Sequence, residues 1–391
     1  MRAKLKADLE KKFDMKDLGE LKWILGMRVS RDSKGCIRVD QCQYTEQIIN
    51  RFGMSKCNPV DTPVVPGAIL TKADSDHDPE SMKAIPYRSA VGALMYLMCG
   101  TRPDIATAVS RVSRHLETPT HQHWTAVKRI FRYLRRHSLG ITYRGGASDA
   151  IVGVNLTGYA DADYGNDPDT RRSTTGHVFM LAGGAISWES TRQRTVALST
   201  TEAEYMALTC ATKEAVWLRQ LLKDLGFPQR QATRIWEDNQ GCIALARNPV
   251  HHKRSKHIDI RYHFIRERVQ SSEIDPQYVP SRENLADIFT KPLASELFTY
   301  LRNQILGHSR TSPPADDDQT VVANLAMVSN PKTIKRPPKK QPRFFTFSER
   351  AIKRYAGPDL GVKARLCLSK YTERRKSVPA TKLTLPMHLS A

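Results

Sequence analysis

The sequence predicts an α/β (α+β) protein, and three observations in its second half support this class. Apolar and polar residues alternate from 151 to 161 with the period of a half-buried strand. Apolar runs at 174–181 and 185–189 flank a glycine-rich turn, which extends the sheet to three antiparallel strands. A helical pattern then runs from 199 to 225. A sheet followed by a long helix is therefore the expected centre of the fold.

The first part of the chain contains both strand and helix patterns. Two strands, at 21–29 and 36–39, flank a loop of Asp, Ser and Gly residues that suits a hairpin. An amphipathic helix around Ile48 and Ile49 follows, and three prolines then predict a linker without regular structure. Helical periodicity predicts three more helices, at 87–98, 105–115 and 123–136. The last of these is strongly basic, so that its arginines either follow a phosphate backbone or form a solvated face.

Acidic residues recur at the ends of the predicted elements. Asp161 ends the first strand of the second half, and Asp163 lies two residues beyond it on the same side of the strand. Asp238 ends a strand, and Asp287 lies at the start of the last helix. The elements predicted after the long helix are a strand at 233–238, a helix at 258–269, a strand at 278–279 and a helix start at 284–289.

Glu204 has two interpretations from its position. The start of the long helix contains two overlapping capping boxes, Ser199 with Glu202 and Thr201 with Glu204. The apolar stripe of this helix, extended backwards by three residues, places Glu204 on the core-facing side. A buried ionised carboxylate is costly unless it is paired or binds a metal. A capping role and a ligand role therefore both fit Glu204.

Composition restricts the partners of the chain. Its 391 residues include 61 basic and 40 acidic side chains, a net charge of +21 that favours a polyanion such as nucleic acid. No run of about 18 apolar residues occurs, and no secretory signal is apparent at the start, so no membrane partner is expected. We expect an intracellular location, cytoplasmic or nuclear. The seven cysteines form no C-x-x-C pair, which argues against a disulfide framework or a thiolate zinc site.

Residues 307–391 are expected to form a basic, mostly disordered tail. From 308 onward the tail carries 17 basic and 6 acidic residues and has little apolar content to bury. Its lysine- and arginine-rich run at 335–343 suits a nuclear address, a nucleic-acid arm or simple solubilisation.

Five motifs occur in order in the second half of the chain: G-Y-A-D-A-D, S-T-T-E-A-E-Y, W-E-D-N-Q, K-H-I-D-I-R-Y-H-F and N-L-A-D-I-F-T-K-P-L. They resemble the motifs of copia-type LTR retrotransposon polyproteins. Four upstream motifs resemble the end of that family's reverse transcriptase and its connection: F-D-M-K-D-L-G-E-L-K-W-I-L-G-M, Y-R-S-A-V-G-A-L-M-Y-L, T-R-P-D-I and K-R-I-F-R-Y-L. The resemblance covers residues 10–306.

The resemblance implies a division of the chain into four parts. Residues 1–60 would be the C-terminal remnant of a truncated reverse transcriptase, and residues 61–147 a linker followed by a mainly helical thumb or connection region. Residues 148–306 would form a ribonuclease H-like domain, with a mixed five-stranded sheet and flanking helices. Residues 307–391 are the tail.

The resemblance also implies the catalytic and metal-binding residues. These are Asp161, Glu204, Asp238 and Asp287, with Asp163 as a further candidate ligand beside Asp161. Hydrolysis of a phosphodiester places charge on the attacking and leaving oxygens, and two Mg²⁺ ions about 4 Å apart stabilise both. Carboxylates from separate elements suit Mg²⁺, which prefers oxygen ligands and retains water. Mn²⁺ is expected to substitute for Mg²⁺.

Six further residues are expected to contact an RNA–DNA hybrid: Thr200, Thr201, Asn239, Lys253, Arg254 and Lys256. The first three stand beside the acids and suit contacts to RNA 2′-hydroxyls, although helix capping also explains Thr201. The three basic residues resemble a positively charged segment of cellular ribonucleases H and suit backbone phosphates of the DNA strand. A solvated basic loop is the alternative for these three.

The function implied by the resemblance is metal-dependent endonucleolytic hydrolysis of the RNA strand of RNA–DNA hybrids. The loop before Asp287 lacks the histidine that many ribonucleases H carry there, so slow turnover is expected. The polymerase signature Y-x-D-D is absent, so no polymerase activity is expected from this chain alone. Two alternatives stay open. One is a catalytically silent nucleic-acid-binding remnant of a degenerate element, and the other is a reverse-transcriptase part that needs an upstream polymerase region.

Overall fold

The computed structural model describes most of the chain up to His308. The described residues are 7, 10–14, 19–72, 79–136, 138–144, 155–248 and 259–308. Lys253, Arg254, Lys256 and the basic tail beyond His308 therefore lie outside the described residues. Within the described ranges, no helix combines the length and the apolar character needed to span a membrane.

A four-stranded antiparallel sheet lies at the start of the chain. Its strands, which pair in chain order, are β1 (Trp23–Ile24), β2 (Met27–Arg31), β3 (Ile37–Asp40) and β4 (Gly140–Tyr143). The predicted hairpin is confirmed, and it is formed by β2 and β3. The single strand predicted at 21–29 is wrong, because the chain reverses at Leu25 and Gly26, which have positive φ, and so forms the separate antiparallel strands β1 and β2. Its loop is held by Asp32, whose Oδ1 accepts hydrogen bonds from the backbone N–H groups of Lys34 and Cys36 at 2.9 and 2.8 Å. β4 was not predicted, and it brings residues 140–143 back to pair with β3.

The helices predicted for the first part of the chain are also confirmed. They are α1 (Cys42–Arg51), α3 (Tyr87–Gly100), α4 (Ala106–Ser113) and α5 (His121–Arg136). A short helix, α2 (Pro79–Lys83), lies between α1 and α3 and was not predicted, because its residues were assigned to the linker. The segment before α4 differs from the prediction, because Pro103–Ile105 forms a separate 3₁₀ turn. Proline has no N–H group to donate and is therefore favoured in the first turn of a helix rather than in its interior.

The basic face of α5 holds the proline-containing linker against the helix. Arg132 donates a hydrogen bond to the Asn58 carbonyl at 2.7 Å, and Arg135 donates one to the Cys57 carbonyl. Arg136 lies 2.6 Å from Asp61. The linker forms no regular secondary structure at these residues, and side-chain hydrogen bonds and an ion pair hold it against α5. Neither sequence-based interpretation of this basic face included such a role.

A mixed five-stranded sheet forms the centre of the second half, as predicted. Its strands are β5 (Thr157–Asp163), β6 (Thr174–Leu181), β7 (Gly184–Arg192), β8 (Thr233–Glu237) and β9 (Ile274–Tyr278). The order across the sheet is β7-β6-β5-β8-β9. The pairs β7–β6 and β6–β5 are antiparallel, whereas β5–β8 and β8–β9 are parallel. The first strand continues beyond its predicted end at Asp161, because Asp163 still pairs with Thr174.

In the part of the chain that the structure describes, four helices and two 3₁₀ turns accompany this sheet. The helices are α6 (Thr200–Asp224), α7 (Gln240–Arg247), α8 (Asp259–Gln270) and α9 (Ser295–Ile305). The helix start predicted at 284–289 is wrong, since Ser281–Glu283 and Asp287–Phe289 are short 3₁₀ turns and the last helix begins only at Ser295. Pro292 lies between the second turn and α9, and the residue before a proline is disfavoured in a helix.

We call α1 to α5 the helical region. The largest apolar core joins this region to one face of the five-stranded sheet. It includes Leu94 of α3 and Phe131 of α5, and it continues through Val178 of β6 to Phe289 and Leu301. α4 and α9 also contact β7. A second core lies around α6 and includes Ala211, Ala215 and Leu218. Burial of apolar side chains therefore fixes the helical region and the sheet together.

A buried ion pair crosses the helical core where the T-R-P-D-I motif turns. Arg102 donates two hydrogen bonds to the Asp104 carboxylate, at 2.9 and 2.7 Å, and the Tyr133 hydroxyl donates a third at 2.5 Å. All three side chains are almost completely buried. Burial tends to raise the pKa of Asp104, but the Arg102 guanidinium holds it below its usual range. The motif therefore connects the α3–α4 turn to α5.

We predict that Asp104→Ala destabilises the protein much more than Tyr133→Phe. The first change leaves the Arg102 charge buried without its carboxylate partner and should cost about 3–5 kcal/mol of the free energy of unfolding. The second change removes one hydrogen bond to a charged group and should cost about 1.5–3 kcal/mol. Urea unfolding followed by circular dichroism measures both. Equal and small losses, below about 1 kcal/mol, would contradict a central role for this ion pair.

Candidate functional site

Three carboxylates meet at one end of the five-stranded sheet. Asp161 on β5 and Asp238 directly after β8 lie on neighbouring parallel strands, whose carboxyl ends share one edge of the sheet. Glu204 reaches the same place from the first turns of α6. One carboxylate oxygen of each residue lies within 4.8 Å of the others. We call these three residues the acidic cluster.

The start of α6 settles which acid caps the helix. Ser199 is the N-cap, and its hydroxyl accepts a hydrogen bond from the Glu202 N–H at 3.1 Å. The Glu202 side chain accepts a hydrogen bond from the Leu198 N–H at 2.8 Å. Glu204 instead lies buried in the acidic cluster, and among the described residues its Oε2 has no hydrogen-bond partner. The Ser199 half of the first predicted capping box thus forms, while the Glu202 side chain binds the N–H of the residue before the N-cap and Glu204 lies on the core-facing side of the helix.

Small side chains allow α6 to lie close to the sheet. Ala203 and Ala207 on the helix pack against Ala162 of β5, and all three are buried. Larger side chains at these positions would increase the distance between the helix and the sheet. The alanines therefore bring Glu204 within reach of Asp161.

Asp287 approaches the acidic cluster from the second 3₁₀ turn. Lys291 lies between the two, with its Nζ 3.1 Å from Asp161 Oδ1 and 3.0 Å from Asp287 Oδ1. The Thr290 hydroxyl donates a hydrogen bond to Asp161 Oδ2. Gly176 of β6 makes room for this segment, since a Cβ there would lie 2.7 Å from Thr290 Cγ2. Asp287 is thus linked to Asp161 through a lysine rather than grouped directly with the acidic cluster.

Glu237 is a fifth acid at this place, and the sequence analysis did not single it out. It is completely buried, its Oε1 accepts a hydrogen bond from the Asn239 N–H at 3.3 Å, and its Oε2 lacks a partner in the described part of the chain. Thr233, Ile235 and Glu237 are the buried residues of β8. The period-two pattern of this strand would have placed Glu237 on the inward side.

Lys291 was also missed, although its spacing from Asp287 carried a signal. The two are four positions apart in the chain, a spacing at which a lysine can reach an acid one turn away. Burial lowers the pKa of Lys291, but the carboxylates of Asp161 and Asp287 outweigh this effect and raise the pKa above its usual value. Lys291 therefore remains charged and neutralises part of the acidic site.

Burial and mutual repulsion dominate the electrostatics of the acids. Burial raises the pKa of Glu204, and the neighbouring carboxylates of Glu237 and Asp161 raise it further. Burial, followed by the charge of Asp161, likewise raises the pKa values of Glu237 and Asp287. Like charges held this close oppose ionisation of each other. The site therefore favours binding of a cation.

Asp163 faces a different environment from Asp161. Its Oδ1 accepts a hydrogen bond from the Thr174 N–H, and burial raises its pKa to about 6. It lines a pocket together with Arg111 and Arg114. Among the described residues, the group of three acids within 4.8 Å does not include Asp163.

The candidate RNA contacts lie at the starts of α6 and α7. Asn239 caps α7, because its side-chain oxygen accepts a hydrogen bond from the Cys242 N–H at 2.9 Å. Thr201 lies across Gly241 from Asn239, since a Cβ at residue 241 would lie 3.3 Å from the Thr201 hydroxyl and 3.1 Å from the Asn239 oxygen. Thr200 is exposed. Thr201 and Asn239 therefore meet at the start of α7, and Asn239 directly follows Asp238 of the acidic cluster.

Comparisons with known proteins agree with the motifs. A family model described as reverse transcriptase (RNA-dependent DNA polymerase) matches residues 1–66. The retrovirus-related Pol polyprotein from transposon TNT 1-94 of Nicotiana tabacum is 45% identical over 311 residues, which are 78% of this chain and 23% of that protein. The corresponding polyprotein from transposon RE2 of Arabidopsis thaliana is 36% identical over 298 residues, which are 76% of this chain and 20% of that protein.

Ribonuclease H domains are among the similar solved structures. The N-terminal RNase H domain of rv2228c from Mycobacterium tuberculosis is 16% identical, with a TM-score of 0.26, over 35% of this chain and 91% of that chain. The present chain spans between a fifth and a quarter of the two polyproteins that it matches. The identity over three quarters of this chain, together with the reverse transcriptase match, shows that it belongs to the copia-type LTR retrotransposon Pol polyproteins.

Proposed function

We propose that this protein is a ribonuclease H-type endonuclease, which hydrolyses the RNA strand of RNA–DNA hybrids with the help of divalent metal ions. The observation that carries this proposal is the acidic cluster, in which three carboxylates from separate elements lie within 4.8 Å of one another. The buried Glu204 Oε2, for which the described residues provide no hydrogen-bond partner, supports it. An unpaired buried carboxylate oxygen is costly unless a cation completes it.

The donor set fits Mg²⁺. All candidate ligands are carboxylate oxygens, which Mg²⁺ prefers over nitrogen or sulfur. Asp161, Glu204 and Asp238 would hold one ion, and Asp287 together with Asp161 would contribute to a second. Bound there, the ions would stabilise the charge that develops on the attacking and leaving oxygens. Lys291 now bridges Asp161 and Asp287, so that its ammonium group would have to share or yield this position.

Neighbouring side chains orient the ligands. The Thr290 hydroxyl and Lys291 bind the two oxygens of Asp161, which limits the rotation of its carboxylate. The Ser281 hydroxyl donates a hydrogen bond to Asp238 Oδ2 at 2.6 Å. Such support around a ligand raises the precision of a metal site. These residues would keep the carboxylates in place while the scissile phosphate is bound.

Selection of RNA would depend on groups beside the acidic cluster. Asn239 uses its side-chain oxygen to cap α7, which leaves its amide N–H groups to donate to a substrate. The Thr201 hydroxyl lies close to Asn239 and can contact a 2′-hydroxyl, the group that distinguishes RNA from DNA. The net charge of +21 suits the phosphate backbone of the hybrid.

We predict that the full chain cleaves the RNA strand of a labelled hybrid in Mg²⁺ or Mn²⁺ and leaves duplex DNA intact. Glu204→Gln and Asp238→Asn should lower the cleavage rate by at least about 100-fold, because each removes a charged metal ligand while keeping its size. Chelation should abolish cleavage. Denaturing electrophoresis of the products measures the rates.

Asp224→Asn is the matched control for these two variants. Asp224 is exposed at the far end of α6, the helix that carries Glu204, and its substitution removes the same charge. The control should cleave at the wild-type rate. Near wild-type cleavage by both site variants would show that the ligand assignment is wrong. Hybrid binding without any cleavage in either metal would instead support the alternative of a catalytically silent nucleic-acid-binding protein.

A second prediction concerns stability in the absence of metal. In a chelating buffer at neutral pH, Glu204→Gln should raise the free energy of unfolding by about 1–3 kcal/mol. Burial and the neighbouring carboxylates raise the pKa of Glu204, so the folded wild type has to protonate this side chain or hold its charge there, whereas glutamine is neutral without either cost. Added Mg²⁺ should stabilise the wild type more than the variant, because only the wild type retains all ligands. Urea unfolding with and without Mg²⁺ tests both points. A variant less stable than the wild type in chelator would show that Glu204 is a structural residue.

A further inference from the structure

A narrow pocket lies next to the acidic cluster and shares a wall with it. The shared residue is Thr290, which lines the pocket and whose hydroxyl donates a hydrogen bond to Asp161. Arg111 of α4 and Arg114, which directly follows this helix, also line the pocket. The pocket therefore connects the helical region, which lies outside the five-stranded sheet, to the proposed catalytic acids.

Both arginines carry a buried donor that is not used. Arg114 binds Asp167 Oδ2 through Nη1 and the Thr174 hydroxyl through Nη2, each at 3.1 Å, but its Nε is buried and unpartnered within the described structure. Arg111 donates through Nη2 to the Ala68 carbonyl at 2.5 Å, and its buried Nη1 has no acceptor there either. Buried charged donors without acceptors are costly, so an external acceptor would stabilise this arrangement.

The charges around the pocket favour an anion of low charge. Asp167 is already shared between Arg114 and Arg192, whose Nη1 lies 2.8 Å from it. Asp163 is the second acid, and Arg111 brings the number of guanidinium groups to three. His115 also lines the pocket, and burial lowers its pKa to about 4, so that it is neutral at pH 7. Among these named groups the guanidinium charges outnumber the carboxylates by one, while Asp169, whose charge also acts on His115, lies outside the lining.

The size of the pocket suits part of a phosphate group. Its volume is about 20 Å³, which is room for one water-sized group. A free phosphate ion is larger than this, whereas a single non-bridging oxygen of a phosphodiester fits at the entrance. Arginine is well suited to phosphate oxygens because its donors are rigidly arranged and always charged.

We propose that Arg111 and Arg114 bind a backbone phosphate oxygen of the nucleic acid, at a nucleotide close to the one at the acidic cluster. This proposal rests on the proposed function for the identity of its substrate. The two arginines are positioning residues, since they would fix the register of the backbone without contacting the reacting atoms. The helical region would thereby contribute directly to substrate binding.

The test measures binding of the full chain to a hybrid in Ca²⁺ or chelator, so that it does not depend on cleavage. The probes are one unmodified hybrid and a series that carries a single neutral methylphosphonate at successive positions of either strand. Wild type should lose about tenfold in affinity at one position near the cleavage position and much less elsewhere. Arg111→Gln should bind the unmodified hybrid about tenfold more weakly than the wild type does. A methylphosphonate at that one position should not weaken its binding further, because the contact is already lost.

Three further variants make the result specific. Arg111→Lys keeps the charge and should retain most of the affinity, and Arg114→Gln should reproduce the position-specific loss. Arg230→Gln removes the same charge from an exposed loop between α6 and β8. Any loss of affinity that it causes should be the same on the unmodified hybrid and on every methylphosphonate hybrid. The salt dependence of Kd should decrease by about one phosphate contact for Arg111→Gln and for Arg114→Gln, but not for Arg111→Lys.

The outcomes separate this proposal from the nuclease proposal. If Arg111→Gln loses affinity equally at all methylphosphonate positions, the arginines only support the fold and the pocket proposal is wrong, whether or not the wild type cleaves. If the position-specific loss is found but no metal supports cleavage, the pocket proposal stands and the nuclease proposal fails. Wild-type binding that is insensitive to every methylphosphonate also overturns the pocket proposal.

Discussion

Crowding of like charges is the constraint on which the arrangement of this protein depends. Five carboxylates converge on the carboxyl ends of β5 and β8: Asp161, Glu204, Glu237, Asp238 and Asp287. Lys291 compensates part of this charge through contacts to two of them. Repulsion between the remaining charges opposes folding, so apolar burial elsewhere has to hold these residues together. A site of this kind is a sign of function, because stability alone does not favour it.

The helical region takes part in holding the site. Thr107 of α4 donates a hydrogen bond to the Ile288 carbonyl at 2.5 Å, directly beside Asp287. The apolar core continues from α3 and α5 through Ile288 and Phe289. The position of Asp287 therefore depends on residues that lie almost two hundred positions earlier in the chain. If the pocket beside α4 binds a phosphate as proposed, the helical region both holds Asp287 in place and binds the substrate.

Much of the local structure could be predicted because it follows from local rules. The hairpin around Asp32, the helices of the first part and the strand 174–181 depend on turn residues and hydrophobic periodicity, which act over a few neighbours. Element ends near Asp161 and the 284–289 segment were less predictable. The extra pairing of Asp163 and the break before Ser295 depend on partners distant in sequence.

The sequence by itself determined the types and order of most elements and the acids at their ends, because each of these depends on side-chain pattern within a short window. Only the tertiary structure decided which acids meet. In the structure Glu204 lies in the acidic cluster and does not cap α6. Asp163 lines a pocket with Arg111 and Arg114, and Glu237 and Lys291 lie at the site as well. The physical reason is that repulsion, ion pairing and burial act through space. These forces depend on the parallel pairing of β5 with β8 and on the close packing of α6, which no local pattern encodes.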